Sequence, residues 1–146
     1  MIRAINLTKE LRFVSEDDPG KGTPDETVFF LKPLTSGQLG AVNDLIASFD
    51  ADALRTGNSE GSSMKIHQAA ILAAQLGLTG WENFEREDGS PVEFVTERKT
   101  VAGKAGQYVR GDLLDLIPLG ACFGMYRLLS ETAQPTEQDV GNLKAA

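Results

Sequence analysis

This chain of 146 residues is poor in the side chains that most often do chemistry: one cysteine, Cys122, and one histidine, His67. A lone cysteine forbids an internal disulfide. Together with a single histidine it also excludes a His/Cys zinc site and any two-histidine metal motif. A nucleophilic triad requires a base beside the nucleophile, and His67 lies next to Ile66 in an alanine-rich stretch that reads as a helix, where a surface or core-edge position is expected. Cys122 sits among apolar residues and reads as a buried structural thiol, because a reactive cysteine needs a cationic, accessible setting.

Basic residues are also scarce, 14 against 21 acidic, for a net charge of −7. That balance argues against a nucleic-acid binder, which neutralises phosphates with clustered Lys and Arg. Long apolar runs are missing as well. The longest, 116–125, contains Pro118, Gly120 and Gly124 and falls well short of the roughly 20 residues of a bilayer span. Residues 5–13 are interrupted by Asn6, Thr8, Lys9, Glu10 and Arg12, so no secretory signal is read and the chain is expected inside the cell. The glycine-bearing stretches 20–22 and 103–106 are too short for a phosphate-binding P-loop. The carboxylate pairs Asp112/Asp115 and Asp50/Asp52 read as solvated helix ends or loops, so the expected protein is not an enzyme and carries no cofactor or metal.

What the sequence does contain is a mixed α+β pattern. Ile5, Leu7, Leu11 and Phe13 fall on odd positions over 5–14, interrupted at Lys9, and predict a half-buried strand, and 27–31 (TVFFL) predicts a second. An acidic, Pro/Gly-rich loop over 15–25 separates them. Thr35 and Gln38 have capping-box spacing and predict a helix start, followed by an apolar stripe of Leu39, Val42, Leu45, Ile46 and Phe49 ending near Leu54. A polar connector over 57–63 leads to a second helix over 63–76, with Gly77 as its C-terminal cap. Asp88-Gly89 predicts a tight hairpin turn with 91–95 as the returning strand. Residues 98–111 read as a basic loop, 113–117 as a short helix, 119–129 as a final helix, and Pro135 as the start of a polar tail.

The expected architecture is therefore one domain over 1–146, a small antiparallel sheet or hairpins packed on a bundle of about four helices. It comprises a β-rich part (1–34), a helical part (35–130) with a hairpin inserted near 81–95, and a polar tail (131–146).

Charge is segregated along the chain. Residues 81–97 hold six acidic and one basic side chain (−5), while 98–110 hold four basic and none acidic (+4), a difference of nine charges. The basic stretch, with Arg98, Lys99, Lys104 and Arg110, reads either as an arm that docks on an acidic partner or a phosphate, or as a solvated loop that pairs with the acidic hairpin before it. Trp81 likewise reads either as a core anchor whose indole N–H finds a carbonyl or as an interface hot spot beside Phe84. These six residues are the candidate partner-binding set.

The strand-to-helix run TVFFLKPLT, the helix after it, and LGLTGWENF followed by EDGSPVEF resemble small proteins of bacteriophage tail modules, especially tail assembly chaperones. The matching residues are Gly80, Trp81, Asp88, Gly89, Pro91, Val92 and Phe94, within a likeness spanning 27–129. The resemblance implies a protein that binds the long tape-measure protein and recruits tail-tube subunits in the bacterial host cytoplasm, with no active site. The β-rich amino-terminal part departs from a purely helical chaperone and leaves a structural subunit of the mature virion as the alternative: a tail, neck or capsid-decorating protein contacting neighbouring subunits. Self-association is a further expectation. Neither nucleic acid nor membrane is an expected partner.

Overall fold

The computed structural model describes residues 1–56 and 60–133, with side-chain environments over 1–46 and 65–133. Among the described residues nine elements follow in the order β1 (Leu11–Phe13), β2 (Val28–Leu31), α1 (Ser36–Thr56), α2 (Glu60–Gly77), β3 (Leu78–Glu82), β4 (Thr96–Val101), β5 (Lys104–Val109), α3 (Gly111–Leu114) and α4 (Leu119–Thr132). Two small antiparallel sheets and four helices make an α+β fold. The side chains of Phe49, Asp50, Asp52 and Met64, and the expected tail beyond 133, lie outside the described residues.

The first sheet has the order β1-β2-β3. Its register places Phe13 opposite Phe29 and Phe29 opposite Trp81, so three aromatic rings cross one face of the sheet. The pairing shifts between Phe30 and Leu31, where Leu31 meets Leu78 and Phe30 meets Gly80. That extra residue in β3 is a bulge, and it lets β3 leave the end of α2 with no connecting loop.

Helix α1 begins as its capping box requires: the Gln38 N–H donates to Thr35 Oγ1 at 3.1 Å, and the Thr35 N–H donates to Gln38 Oε1 at 3.0 Å. Two backbone donors that the helix leaves unpaired are thereby satisfied. Helix α2 offers Ala69, Ala70, Ala73 and Ala74, all fully buried, a face of small side chains that admits both α1 and α4 at close range. Leu31, Leu34, Val42, Leu76, Met125 and Leu129 fill the core between the helices and the sheet. Cys122 joins them at 1% exposure, and His67 packs edge-on against Phe123 with ring centroids 5.5 Å apart.

Burial raises the Cys122 thiol to a pKa of about 11, so at pH 8 only about one thiol in a thousand is ionised. Native protein is expected to leave a thiol reagent unconsumed at pH 8, and denaturant to release one equivalent. A native thiol that reacts as fast as the unfolded one would contradict this packing.

Several expectations need correction. The first strand covers only Leu11–Phe13, and upstream of it Asn6 Oδ1 takes the N–H and hydroxyl of Thr8 in a local turn that competes with a strand. Helix α2 starts at Glu60, shortening the expected polar connector. Gly77 is the last residue of α2, and it does not take the positive φ of a glycine cap. Its role is space: a Cβ there would stand 2.9 Å from Leu129 Cδ1.

The turn at Asp88-Gly89 forms, with Gly89 at φ 85° and Asp88 accepting from the Ser90 N–H and hydroxyl, but no returning strand follows. Only Glu85 and Pro91 pair, flanked by the Arg86 N–H donating to the Ser90 carbonyl and the Val92 N–H to the Phe84 carbonyl, and beyond them the Val92 carbonyl is taken by the Trp81 indole. The largest miss is 98–111, expected as a loop. Thr96–Val101 and Lys104–Val109 pair in full register around Ala102 and Gly103, whose φ angles of 51° and 78° are those of a two-residue hairpin turn.

Candidate interaction surfaces

Trp81 and Phe84 come together in an aromatic cluster. The Trp81 ring meets Phe84 at 5.1 Å, Phe94 at 4.8 Å and Phe29 at 6.2 Å, all edge-to-face, the arrangement that ring quadrupoles favour. The Trp81 indole N–H donates to the Val92 carbonyl at 2.7 Å, and the Val92 N–H donates to the Phe84 carbonyl at 2.8 Å. These bonds tie 92–94 across β3 even though no strand pairs there. Trp81 is thus a half-buried anchor with its polar atom satisfied, as expected of a core residue; Phe84 is also half-buried.

Phe84 lines two clefts. One, of about 230 Å³, has Pro19, Phe29, Phe84, Pro118 and Ala121 as its apolar lining. Asp17 also lines it, its carboxylate lying beside Gly120 in the first turn of α4, where negative charge complements the helix dipole. The other, of about 590 Å³, is polar and is formed by Asp25, Thr27, Asn83, Phe84, Glu85 and Arg86. Asn83 organises it. At φ 56° its amide donates to the carbonyls of Pro24 and Glu26, both at 3.1 Å, and its own carbonyl accepts from Thr27 Oγ1 at 2.7 Å. Asparagine tolerates that backbone region better than most residues, which is the sequence signal for this corner. Neither cleft was legible from spacing, because each joins segments more than fifty residues apart.

The four candidate cations do not form one patch. Lys99 pairs with Glu97 at 2.7 Å, and Arg110 lies outside the hairpin with two bonds to Asp112, at 2.6 and 2.9 Å. Arg98 and Lys104 are exposed on opposite faces of the β4–β5 hairpin, since Arg98 sits opposite Gln107 and Lys104 opposite Val101. Neither makes an ion pair among the described residues. The pairing expected between the acidic hairpin and the basic stretch is therefore confined to Glu97 and Lys99. Tyr108 stiffens the hairpin from one face, its ring over Gly106 and its hydroxyl donating to the Lys104 carbonyl at 2.7 Å.

The Lys99 ammonium and, secondarily, the Gly111 N–H hold the Glu97 carboxyl below its ordinary 4.5; the Arg110 guanidinium holds Asp112 below 3.8. A carboxyl that is more acidic when folded stabilises the fold above its unfolded pKa, and the contribution is lost as pH falls through the folded value. The thermal midpoint is expected to decline as pH drops below 4.5 and through 3.8. The Arg110/Asp112 pair is exposed and the Glu97/Lys99 pair half-exposed, so the decline from this source should be shallow and further reduced by salt. A midpoint that rises on acidification through this range would contradict the assignment.

Among the described residues no group of three or more His, Cys, Asp or Glu is placed to hold a metal ion, and no helix is long and apolar enough to cross a membrane. Comparison of the chain with family models, curated proteins and solved structures finds no match.

Proposed function

We propose that this chain acts by binding other proteins during bacteriophage tail assembly, as a chaperone that holds the tape-measure protein and recruits tail-tube subunits in the host cytoplasm. The observation that supports this reading is local. The residues that carry the resemblance to tail assembly chaperones, Gly80 to Phe94, form one folded unit in which Trp81, Val92 and Phe94 hold one another and Asp88-Gly89 makes the turn. Their pattern is thus a structural one, which suits a binding scaffold. The acidic surface would keep a complex with an apolar helical partner soluble.

A second reading, a structural subunit of the virion, is favoured by β1, an edge strand of three residues whose outer side is unpaired within its sheet. Such an edge accepts a neighbour's strand. Two experiments separate the readings. Co-expression with a tape-measure fragment from the same genome should yield a co-purifying complex, and mass spectrometry of finished particles should lack this chain. Stoichiometric peptides in the particle would replace the chaperone with the virion subunit, and absence from both would dismiss the two together.

A further inference from the structure

The apolar cleft of about 230 Å³ is walled by two aromatic rings, Phe29 and Phe84, and by Pro118 and Ala121 where α4 begins. Its volume is below the roughly 300–1,000 Å³ of clefts that enclose a small ligand. It suits one bulky apolar side chain of a larger partner, in the way that interface anchors fill pockets. The approach to it is apolar as well. Leu116, Pro118 and Leu119, in the turn that leads into this wall, are all exposed, Leu116 at 44% and Leu119 at 38%. Exposed leucines scattered singly are ordinary, but these adjoin in sequence the residues that line a cleft.

The charge at this cleft has one sign. Asp17 and Asp18 line it, and no basic side chain does. The Asp18 carboxylate is engaged, accepting the Gly20 N–H at 2.8 Å and the Thr27 N–H at 2.7 Å. Lys21, the cation of the same loop, is turned to Glu16 at 2.6 Å, and Arg12 is turned to Glu26 at 3.1 Å. Asp17 is left over. It is exposed, its carboxylate makes no hydrogen bond or ion pair among the described residues, and its Oδ2 lies 3.3 Å from where a Gly120 Cβ would stand. The amino-terminal end of a helix carries about half a positive charge, which helps to hold this carboxylate at the cleft and leaves negative charge to be met from outside.

We infer that this cleft takes a bulky apolar side chain of a partner protein whose neighbouring lysine or arginine meets Asp17. The apolar lining selects the anchor. The unmet carboxylate selects the sign of its flank, since a cation gains on approach to a chain of net charge −7 and an anion is repelled. The inference rests on the proposal that this chain works by binding other proteins, and it deepens that proposal by naming the surface and the chemistry of the segment held.

Two short peptides with blocked ends, Ala-Lys-Phe-Lys-Ala and Ala-Glu-Phe-Glu-Ala, test this on the full chain in about 0.15 M salt, where long-range attraction is screened. Neither contains tryptophan. Emission from Trp81, the chain's one tryptophan and in ring contact with Phe29 and Phe84, therefore reports occupancy. The lysine peptide should saturate with a Kd on the order of 1 mM, as befits a single anchor side chain, and should shift the NMR signals of Phe84 and Ala121. The glutamate peptide should bind about tenfold more weakly or worse. Asp17→Lys, at an exposed side chain, should abolish that preference, with a thermal melt establishing that the variant is folded. No saturable change, equal binding of the two peptides, shifts that map elsewhere, or a folded Asp17→Lys variant that keeps the wild-type preference would each overturn the inference. Shifts of the cleft residues that appear on raising the protein concentration without peptide would overturn it in favour of a second copy as the occupant. Peptide binding here beside a failed tape-measure complex would support the site and count against the assembly reading; a tape-measure complex without peptide binding would do the reverse.

Discussion

Trp81→Ala is expected to lower the thermal midpoint by roughly 10 °C, corresponding to about 3 kcal/mol for a domain of this size. Three effects act together. The substitution removes three edge-to-face ring contacts, with Phe29, Phe84 and Phe94, each worth about 0.5–1.5 kcal/mol beyond area burial. It leaves the Val92 carbonyl, on a residue only 5% exposed, without its donor. It also loosens 92–94, which then keeps only the Val92 N–H to Phe84 carbonyl bond of the two that tie Val92 across the turn. Trp81→Phe separates these effects: it keeps most of the ring packing and loses the indole N–H, so a smaller loss of about 1–2 kcal/mol is expected. Thermal melts of both variants provide the check. An alanine variant as stable as wild type would show that the ring contributes nothing to the fold, and would leave partner binding as the reason for its presence.

The second large effect is at the junction of α2 and α4. Leu129 is fully buried, and Leu129→Ala should cost about 2–5 kcal/mol, the removed side chain leaving a cavity that neighbouring helices fill only in part. The neighbour that decides the outcome is Gly77. In wild type an added Cβ at 77 stands 2.9 Å from Leu129 Cδ1 and 3.3 Å from Cδ2, so Gly77→Ala alone should destabilise by about 1–3 kcal/mol through overpacking. Combined with Leu129→Ala, the same methyl group enters the vacated space. The double variant should therefore be more stable than the sum of the single losses predicts, by about 1 kcal/mol or more. Chemical denaturation of the four proteins measures that coupling; strictly additive losses would show that the two positions do not share one space.

Sequence pattern is most reliable where a structure is built from neighbours along the chain. The Thr35/Gln38 capping box is legible because both partners lie within one turn, and the Asp88-Gly89 turn for the same reason. The alanine face of α2 is read directly from residues three and four apart. Pattern reading fails at β4–β5, where three glycines and four cations within 98–111 mimic a solvated loop. What makes that stretch a hairpin is cross-strand pairing and the Tyr108 ring covering Gly106, and strands as polar as TERKTV and KAGQYV carry too few apolar side chains to announce either. The candidate site divides in the same manner. Trp81 and Phe84 are read from sequence and stand together, whereas Asp25 and Asn83 join the same surface only because β2 pairs with β3.

By itself, then, the sequence determined the fold class, the start of α1, the alanine face of α2, the buried thiol and the scarcity of metal-binding and nucleophilic side chains, all set by composition or by interactions within a few residues. Tertiary structure alone decided which strands are long enough to matter, how closely Leu129 crowds residue 77, and where the charges lie. Lys99 and Arg110 are paired locally, while Arg98 and Lys104 remain exposed on the hairpin. The physical reason is that pairing, close approach and exposure depend on groups distant in the chain, and only the folded arrangement brings those groups into contact or keeps them apart.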